Sequence, residues 1–442
     1  MTFDLAFGDQ INFLTGINGS GKTTILNSII ALITPSLEAL ANLQYQNIQV
    51  EFTEGNISTF INAMNHGDRV RLGLGHLDDV FEYATFVPDN ATNPGREDEA
   101  EREYYKSISA LSTSNVVLDY ISSLPTPMFL GLDRRVRTNY MPSRLRAWAG
   151  RALRPSRNVF RGSLLASISD AASLAEQKHR DNLIAAGSVG DELRRELILE
   201  LLDIRPVETP AQLQFPGAFN EKEITKIKTS VQSLHEVLNL PRAKVEERIY
   251  PFIEMLEKSA SVAQKFESAR RKNSTPDSET VEMLLFWNFN RSHLERIDRM
   301  SQAVTKYNEV IRELQAPSRK YLSSVNRFLE DGNKKLIFDE KGYIGYSVSW
   351  DDNIYSMDTL SSGEAQIFVI LTHLWFNPGV QGGNVFIIDE PELSLHIQWQ
   401  ELFVDAVTEA NPAMQFIMAT HSPSIIMERI DDCIELPRAS RS

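Results

Sequence analysis

The chain has 442 residues, 42% of them hydrophobic, which is enough for one large or two ordinary cores. Its 45 basic and 59 acidic residues leave a net charge of −14, which disfavours a surface that coats nucleic acid indiscriminately. No apolar run reaches about 18 residues and no charged-then-apolar leader is present, so no membrane span or secretory signal is expected; the lone Cys433 excludes an intramolecular disulfide framework and points to a reducing, cytoplasmic setting.

In chain order, Ile11-Asn12-Phe13-Leu14 reads as a buried strand and Thr24 to Ile30 as a helix. Between them residues 16–23 read Gly-Ile-Asn-Gly-Ser-Gly-Lys-Thr, which fills the pattern G-x-x-x-x-G-K-[ST] in the strand–loop–helix context that a phosphate loop needs. Backbone N–H groups of such a turn converge on phosphate, and the helix N-terminus adds partial positive charge. Lys22, expected to face solvent, supplies a full charge, and Thr23 supplies a hydroxyl for Mg²⁺. Gly16, Asn18, Gly19, Ser20, Gly21, Lys22, Thr23 and Thr24 are the expected nucleotide contacts. Nucleotide binding follows directly.

Past an acidic run at Glu97-Asp98-Glu99-Ala100-Glu101, arginines crowd one stretch. Arg134, Arg135, Arg137, Arg144, Arg146, Arg151, Arg154, Arg157 and Arg161 are interleaved with Tyr140, Trp148 and Phe160, and Asp133 is the only acid among them. Guanidinium beside aromatic rings suits phosphate or nucleic-acid contact through Arg134 to Arg161. Docking onto an acidic partner, docking onto the run at 97–101, or a plain solvated face remain open readings.

From about Ser163 to Ser324 the pattern is mainly helical, punctuated by Pro206, Pro210, Pro216, Pro241 and Pro276. Leu294, Ile297, Met300, Val304, Tyr307, Ile311 and Leu314 recur at three- and four-residue steps, a face that packs against a neighbouring helix. The stretch is too short and too broken for long coiled-coil arms, so a compact helical insertion is expected. The period then changes to that of strands: Leu336 to Asp339, a turn at Glu340-Lys341-Gly342, and Tyr343 to Trp350 form an expected hairpin.

Leu360-Ser361-Ser362-Gly363-Glu364 is a turn with N-cap hydroxyls before the helix Ala365 to Leu371. About twenty residues on, Asn384 to Ile388 is an apolar strand that ends in Asp389-Glu390-Pro391. Such a strand delivers both acids to the carboxyl edge of a sheet. Asp389 suits Mg²⁺, and Glu390 suits deprotonation of an attacking water. A last apolar strand, Phe416 to Ala419, precedes Thr420-His421-Ser422-Pro423.

In this order the motifs resemble the ABC-type ATPase superfamily, over roughly residues 3–33 and 335–436. The resemblance implies ATP and Mg²⁺ as ligands and an α/β fold: a P-loop ATPase head, a mixed sheet flanked by helices, with a large, mainly helical insertion. It divides the chain into an N-terminal lobe at 1–135, the insertion at 136–329 and a C-terminal lobe at 330–442. It makes Leu360 to Glu364 the signature loop, which normally reads Leu-Ser-Gly-Gly-Gln. Ser361, Ser362, Gly363 and Glu364 would then close over the γ-phosphate held by a second copy in a head-to-tail dimer or higher oligomer. Glu392 to His396 looks like the loop that lines that dimer interface, and His421 like the switch histidine that touches the γ-phosphate. Family members carry a strand before the position of Thr2, and Phe3 to Phe7 corresponds to their second strand. No Gln-loop is placed, since Gln44, Gln46 and Gln49 follow the first helix while Leu130 to Arg135 contains no Gln.

Glu-Pro-Glu-x-Ser-Leu-His and Ala-Thr-His-Ser-Pro are closer to the SMC-like ATPases of DNA repair and phage defence, though Ile397 stands where that branch commonly has Pro. Gly16 to Thr23 together with Phe129 to Arg135 looks most like the ATPase subunits of Septu- and PARIS-type anti-phage systems. The resemblance implies a defence ATPase with a separate effector nuclease as partner; a DNA-repair ATPase and a transporter's nucleotide-binding subunit are the alternatives. No second catalytic centre is legible.

Overall fold

The computed structural model describes residues 2–54, 57–75, 79–88, 94–111, 115–130, 136–137, 164–203, 277–380 and 384–437, with short runs between 229 and 258. They form two compact units, Met1–His179 with Arg319–Ser442, and Arg180–Ser318.

In the first unit, β1 (Ile11–Thr15) leads into α1 (Lys22–Ile33), and α2 (Leu37–Asn42) follows. Strands β2 (Asn47–Glu54), β3 (Ile57–Asn65), β4 (Arg69–Leu74) and β5 (Val80–Ala84) pair in sequence as an antiparallel sheet. Helices α3 (Pro94–Leu111) and α4 (Val116–Ser123) precede β6 (Met128–Leu130) and β7 (Val136–Arg137). The long helices α5 (Leu164–Leu202) and α6 (Ser278–Leu329) come next. A second antiparallel sheet follows, of β8 (Lys334–Phe338), β9 (Ile344–Val348) and β10 (Asp351–Tyr355). The chain then runs through α7 (Ser362–Phe376), β11 (Val385–Asp389), α8 (Ile397–Ala410), β12 (Gln415–Ala419), the short α9 (Pro423–Ile426) and β13 (Cys433–Glu435).

The central sheet has the order β13-β1-β12-β11-β6-β7 and is parallel except at β6–β7. Phe13, Leu14, Phe386, Ile387, Ile388, Phe416, Ile417 and Met418 are buried, so both faces of the central strands are covered, as parallel sheets require. Register aligns Leu14 with Ala419 and Asp389 with Ala419, bringing the ends of β1, β11 and β12 to one edge. This is an α/β P-loop head with a mixed sheet, built from both ends of the chain, with a large helical region between them.

No strand forms over Phe3 to Phe7, which corrects the sequence reading. Both edges of β1 are taken, by β12 and β13. Phe3, Leu5 and Phe7 instead lay their side chains against the cluster around Leu14 and Leu26. Asn12 ties the segment down, accepting from Gly8 N–H at 2.6 Å and donating to Gly8 O at 2.9 Å. The antiparallel sheet at 47–84 is absent from the sequence reading altogether.

Helices α5 and α6 have 39 and 52 residues, and the punctuating prolines all fall between them, after the end of α5 and before the start of α6. Pro206, Pro210, Pro216 and Pro276 lie outside the described residues, and α6 runs through Pro317. An internal proline costs about 3 kcal/mol. The burial of Tyr321, Val325, Phe328 and Leu329 just beyond it holds the helix on course. Tyr321 also shares a buried hydrogen bond with Thr372 of α7, at 2.9 Å. Ile168, Ala171, Leu174 and Ala175 join the same core, so the two helices carry head core beyond the helical unit's limits, Arg180 and Ser318, whereas the sequence put the insertion at 136–329.

Within the second unit, Leu193 and Leu197 of α5 pack with Ala303 and Val304 of α6, flanked by Met300 and Tyr307. Arg299 pairs with Glu200 at 2.7 Å and Asp203 at 3.2 Å. Met300, Val304 and Tyr307 of the apolar face read from the sequence thus lie in the seam of this unit. Apart from Arg137 on β7, the arginine-rich stretch lies outside the described residues.

Candidate functional site

The chain leaves β1 at Thr15 and turns through Gly16 to Gly21 into α1. Gly19 and Gly21 take φ of 82° and 98°, which only glycine adopts without strain. Gly21 is the N-cap of α1, so the free N–H groups of the first turn face the loop. Asn18 and Thr24 are exposed, and Ser20 is buried.

Lys22 is the first residue of α1 and is buried, at 7% exposure, against the sequence expectation of a solvent-facing lysine. Its Nζ donates to Gly16 O at 3.1 Å and Ile17 O at 3.4 Å, and lies 2.6 Å from Nε2 of His421. An ammonium only donates, so Nε2 accepts and the ring hydrogen sits on Nδ1. Burial pulls the Lys22 pKa below its ordinary value, against the opposing charges of Glu390, Asp389 and Glu392.

Asp389 ends β11 at 3% exposure. Burial pushes its carboxyl pKa up, while a hydrogen bond from Thr23 and the charge of Lys22 oppose the shift. Glu390 follows with φ of 52°, a left-handed conformation that costs a non-glycine residue about 1 kcal/mol. Its N–H donates to Ala419 O at 2.8 Å, which holds the turn against the end of β12. One carboxylate therefore points into the loop's neighbourhood from a strand end, and the next sits on a strained corner.

Two buried oxygens in this cluster have no protein partner: Asp389 Oδ1 and Ser20 Oγ. Buried polar atoms are nearly always satisfied, so each calls for a ligand. A carboxylate oxygen beside a threonine hydroxyl suits a hard divalent cation such as Mg²⁺, and a serine hydroxyl beside a lysine and helix-start N–H groups suits phosphate. The residues fit a magnesium-bound nucleotide.

The signature turn makes its contacts elsewhere. Ser361 caps α7, and its N–H donates to Glu364 Oε2 at 2.7 Å in a capping box. Ser362 is exposed, while Gly363 and Glu364 are buried. A Cβ on Gly363 would lie 2.6 Å from Ser394 O and 3.3 Å from the Trp399 ring, so only glycine fits between the turn and the 390–396 loop. Glu364 stands where the resemblance expects Gln, and it pairs with Lys334 Nζ at 2.8 Å. Burial raises the Glu364 pKa, but Lys334 and Ser361 outweigh it and hold the carboxyl below its ordinary range.

Gly16 to Thr24, Asp389, Glu390 and His421 thus gather at one sheet edge, and Ser361 to Glu364 form a separate turn. Sequence reasoning missed two supporting residues, Lys334 and Asp331, and named a third, Glu392, only as part of the loop that resembles a dimer-interface loop. Lys334 holds Glu364; Asp331 accepts from Trp399 Nε1 at 3.0 Å and lies 3.5 Å from His396 Nε2; Glu392 binds the switch loop. The Glu-Pro-Glu spacing was the available signal for the last.

Residues 190–428, a little over half of the chain, match the family model described as "AAA domain, putative AbiEii toxin, Type IV TA system". The chain belongs to this family. Among curated relatives of this AAA-domain chain, the retron Vc95 probable ATPase of Vibrio cholerae serotype O1 biovar El Tor is 25% identical over 172 residues, covering 35% of the chain and 32% of the relative. The chain thus spans about a third of that relative's length. Among solved structures, the Smc head domain of Pyrococcus furiosus with an extended coiled coil, bound to the C-terminal domain of ScpA, superposes with a TM-score of 0.36 at 14% identity, over 97% of this chain and 87% of that one. The Smc head domain of Pyrococcus yayanosii with a coiled coil and joint gives 0.34 at 12%, over 97% and 90%. Among the described residues, no helix is long and apolar enough to cross a membrane.

Proposed function

We propose that this chain is the ATP-hydrolysing regulatory subunit of a bacterial anti-phage defence complex that controls a separate effector nuclease. The observation that carries the hydrolytic half is the meeting of Lys22, Thr23, Asp389, Glu390 and His421 at the ends of β1, β11 and β12. The defence half is supported by the family, whose model names a toxin system, and by the retron ATPase relative. The narrower assignment to a Septu- or PARIS-type system rests on Gly16 to Thr23 and Phe129 to Arg135.

Lys22, Ser20 and the N–H groups of the loop bind the β- and γ-phosphates of ATP. Thr23 and Asp389 hold Mg²⁺, which supplies positive charge against the phosphate oxygens when bound. Glu390 takes the proton of the attacking water, and the strained corner at its α-carbon fixes where that carboxylate can reach. His421 releases Lys22 to the γ-phosphate and senses its loss. Ser361, Ser362, Gly363 and Glu364 complete the site of a second copy in a head-to-tail dimer. Closure of two heads on ATP and their opening after hydrolysis is the output passed to the effector.

The test is a phage-plating assay in cells that carry the natural locus with wild-type, Lys22→Ala or Glu390→Gln protein, combined with affinity purification of the chain. Both variants are expected to lose protection while still co-purifying a nuclease subunit. Full protection by both would overturn the reading.

A further inference from the structure

Three carboxylates, Asp389, Glu390 and Glu392, act electrostatically on the single ammonium of Lys22. Two have roles in the proposed hydrolysis. A third negative charge near a triphosphate is unfavourable unless it does something else.

Glu392 spends both oxygens on the switch loop. Its Oε1 accepts the backbone N–H of His421 at 2.8 Å, and its Oε2 accepts the hydroxyl of Thr420 at 2.8 Å. The Thr420 hydroxyl oxygen in turn accepts Ser422 N–H at 3.0 Å, so a single carboxylate orders three consecutive residues. Ser422 Oγ then donates to Gln400 Oε1 at 2.6 Å, and Gln400 Nε2 donates to Leu395 O at 2.7 Å, closing the circuit back onto the 390–396 loop. That loop is itself tightly wound. Glu390 and Ser394 on either side of Glu392 take φ of 52° and 76°, and Leu393 and Leu395 donate to Glu390 O and Glu392 O, each at 3.1 Å. Charged acceptors make short, strong hydrogen bonds, and two on one anchored side chain leave the His421 backbone little freedom.

We infer that Glu392 is a positioning residue whose carboxylate grips the backbone of the switch loop and thereby sets the imidazole of His421 against Lys22. It makes no contact of its own with the reacting atoms; it acts through His421. In its activity arm this rests on the hydrolytic reading above; its structural arm does not.

The experiment compares wild type, Glu392→Gln, Glu392→Ala, His421→Ala and Glu392→Gln/His421→Ala in the full chain. Hydrogen exchange over residues 419–424 is measured alongside steady-state release of phosphate from ATP. Both Glu392 variants are expected to speed exchange of the His421 amide about tenfold or more while the β12 amides stay protected, and Glu392→Gln is expected to lower kcat about tenfold. In the His421→Ala background the Glu392→Gln change should have no further effect on kcat, because the two residues act as one unit. Unchanged exchange at 420–422 in the folded Glu392→Gln protein overturns the inference, as does an additive loss in the double variant. Absence of turnover in wild type overturns the hydrolytic reading instead, and the exchange result still decides the role of Glu392.

Discussion

Lys22 Nζ and His421 Nε2 are 2.6 Å apart although 399 positions separate them in the chain. The contact exists because β1 and β12 are parallel neighbours in register, Leu14 beside Ala419, so the phosphate loop and the switch loop leave the sheet side by side. In the proposed function, this histidine holds the lysine until the γ-phosphate claims it.

Lys22→Ala removes the cation at the centre of that cluster. Charge-assisted bonds to phosphate are worth about 1.5–3 kcal/mol, so ATP affinity is expected to fall roughly ten- to hundredfold by calorimetry. The melting temperature should move far less, because the burial that depresses the Lys22 pKa opposes the attraction of its three carboxylates.

Gly363→Ala tests the packing between the signature turn and the 390–396 loop. The added methyl would meet Ser394 O, a backbone atom, at 2.6 Å, so the loop must shift. Overpacking of this kind costs about 1–3 kcal/mol. A lowered melting temperature and weaker ATP-driven association are expected; a wild-type melting curve would show that the turn has room.

Glu364→Gln restores the residue the superfamily usually carries and strands Lys334. Loss of this partly buried pair is expected to cost about 1–3 kcal/mol at pH 7. The folded pKa of Glu364 lies below its ordinary value, so the stability it contributes is full above the unfolded glutamate pKa and disappears as pH falls through the folded one. The gap in melting temperature between wild type and variant should therefore be widest near neutrality and close under acid. A gap that persists unchanged at low pH would assign the effect to something other than the ion pair.

Much of the site was legible because its chemistry sits in contiguous motifs that strand periodicity delivers to one edge: Gly16 to Thr23 after β1, and Asp389-Glu390 at the end of β11. What stayed hidden depends on tertiary partners. Lys334 and Asp331 matter only because Glu364 and Trp399, 30 and 68 positions on, come to meet them. Phe3 to Phe7 has the alternation of a strand, but both edges of β1, the strand it leads into, are taken by β12 and β13. The sheet at 47–84 did carry a signal, since Val70, Leu72 and Leu74 alternate with outward residues, as do Phe81 and Tyr83. The burial of Lys22 was invisible, because it follows from the carbonyls of Gly16 and Ile17 and from His421 rather than from its own helix.

The central claim is that Glu390 activates water at this sheet edge, and phosphate release by purified wild type and Glu390→Gln in the presence of Mg²⁺ tests it most directly. Wild type is expected to turn over ATP. The variant should bind ATP with unchanged affinity, lose at least about a hundredfold in kcat, and elute as a larger, closed assembly when ATP is present. Hydrolysis by Glu390→Gln at the wild-type rate, or no hydrolysis by either protein under conditions where both bind ATP, would contradict the account.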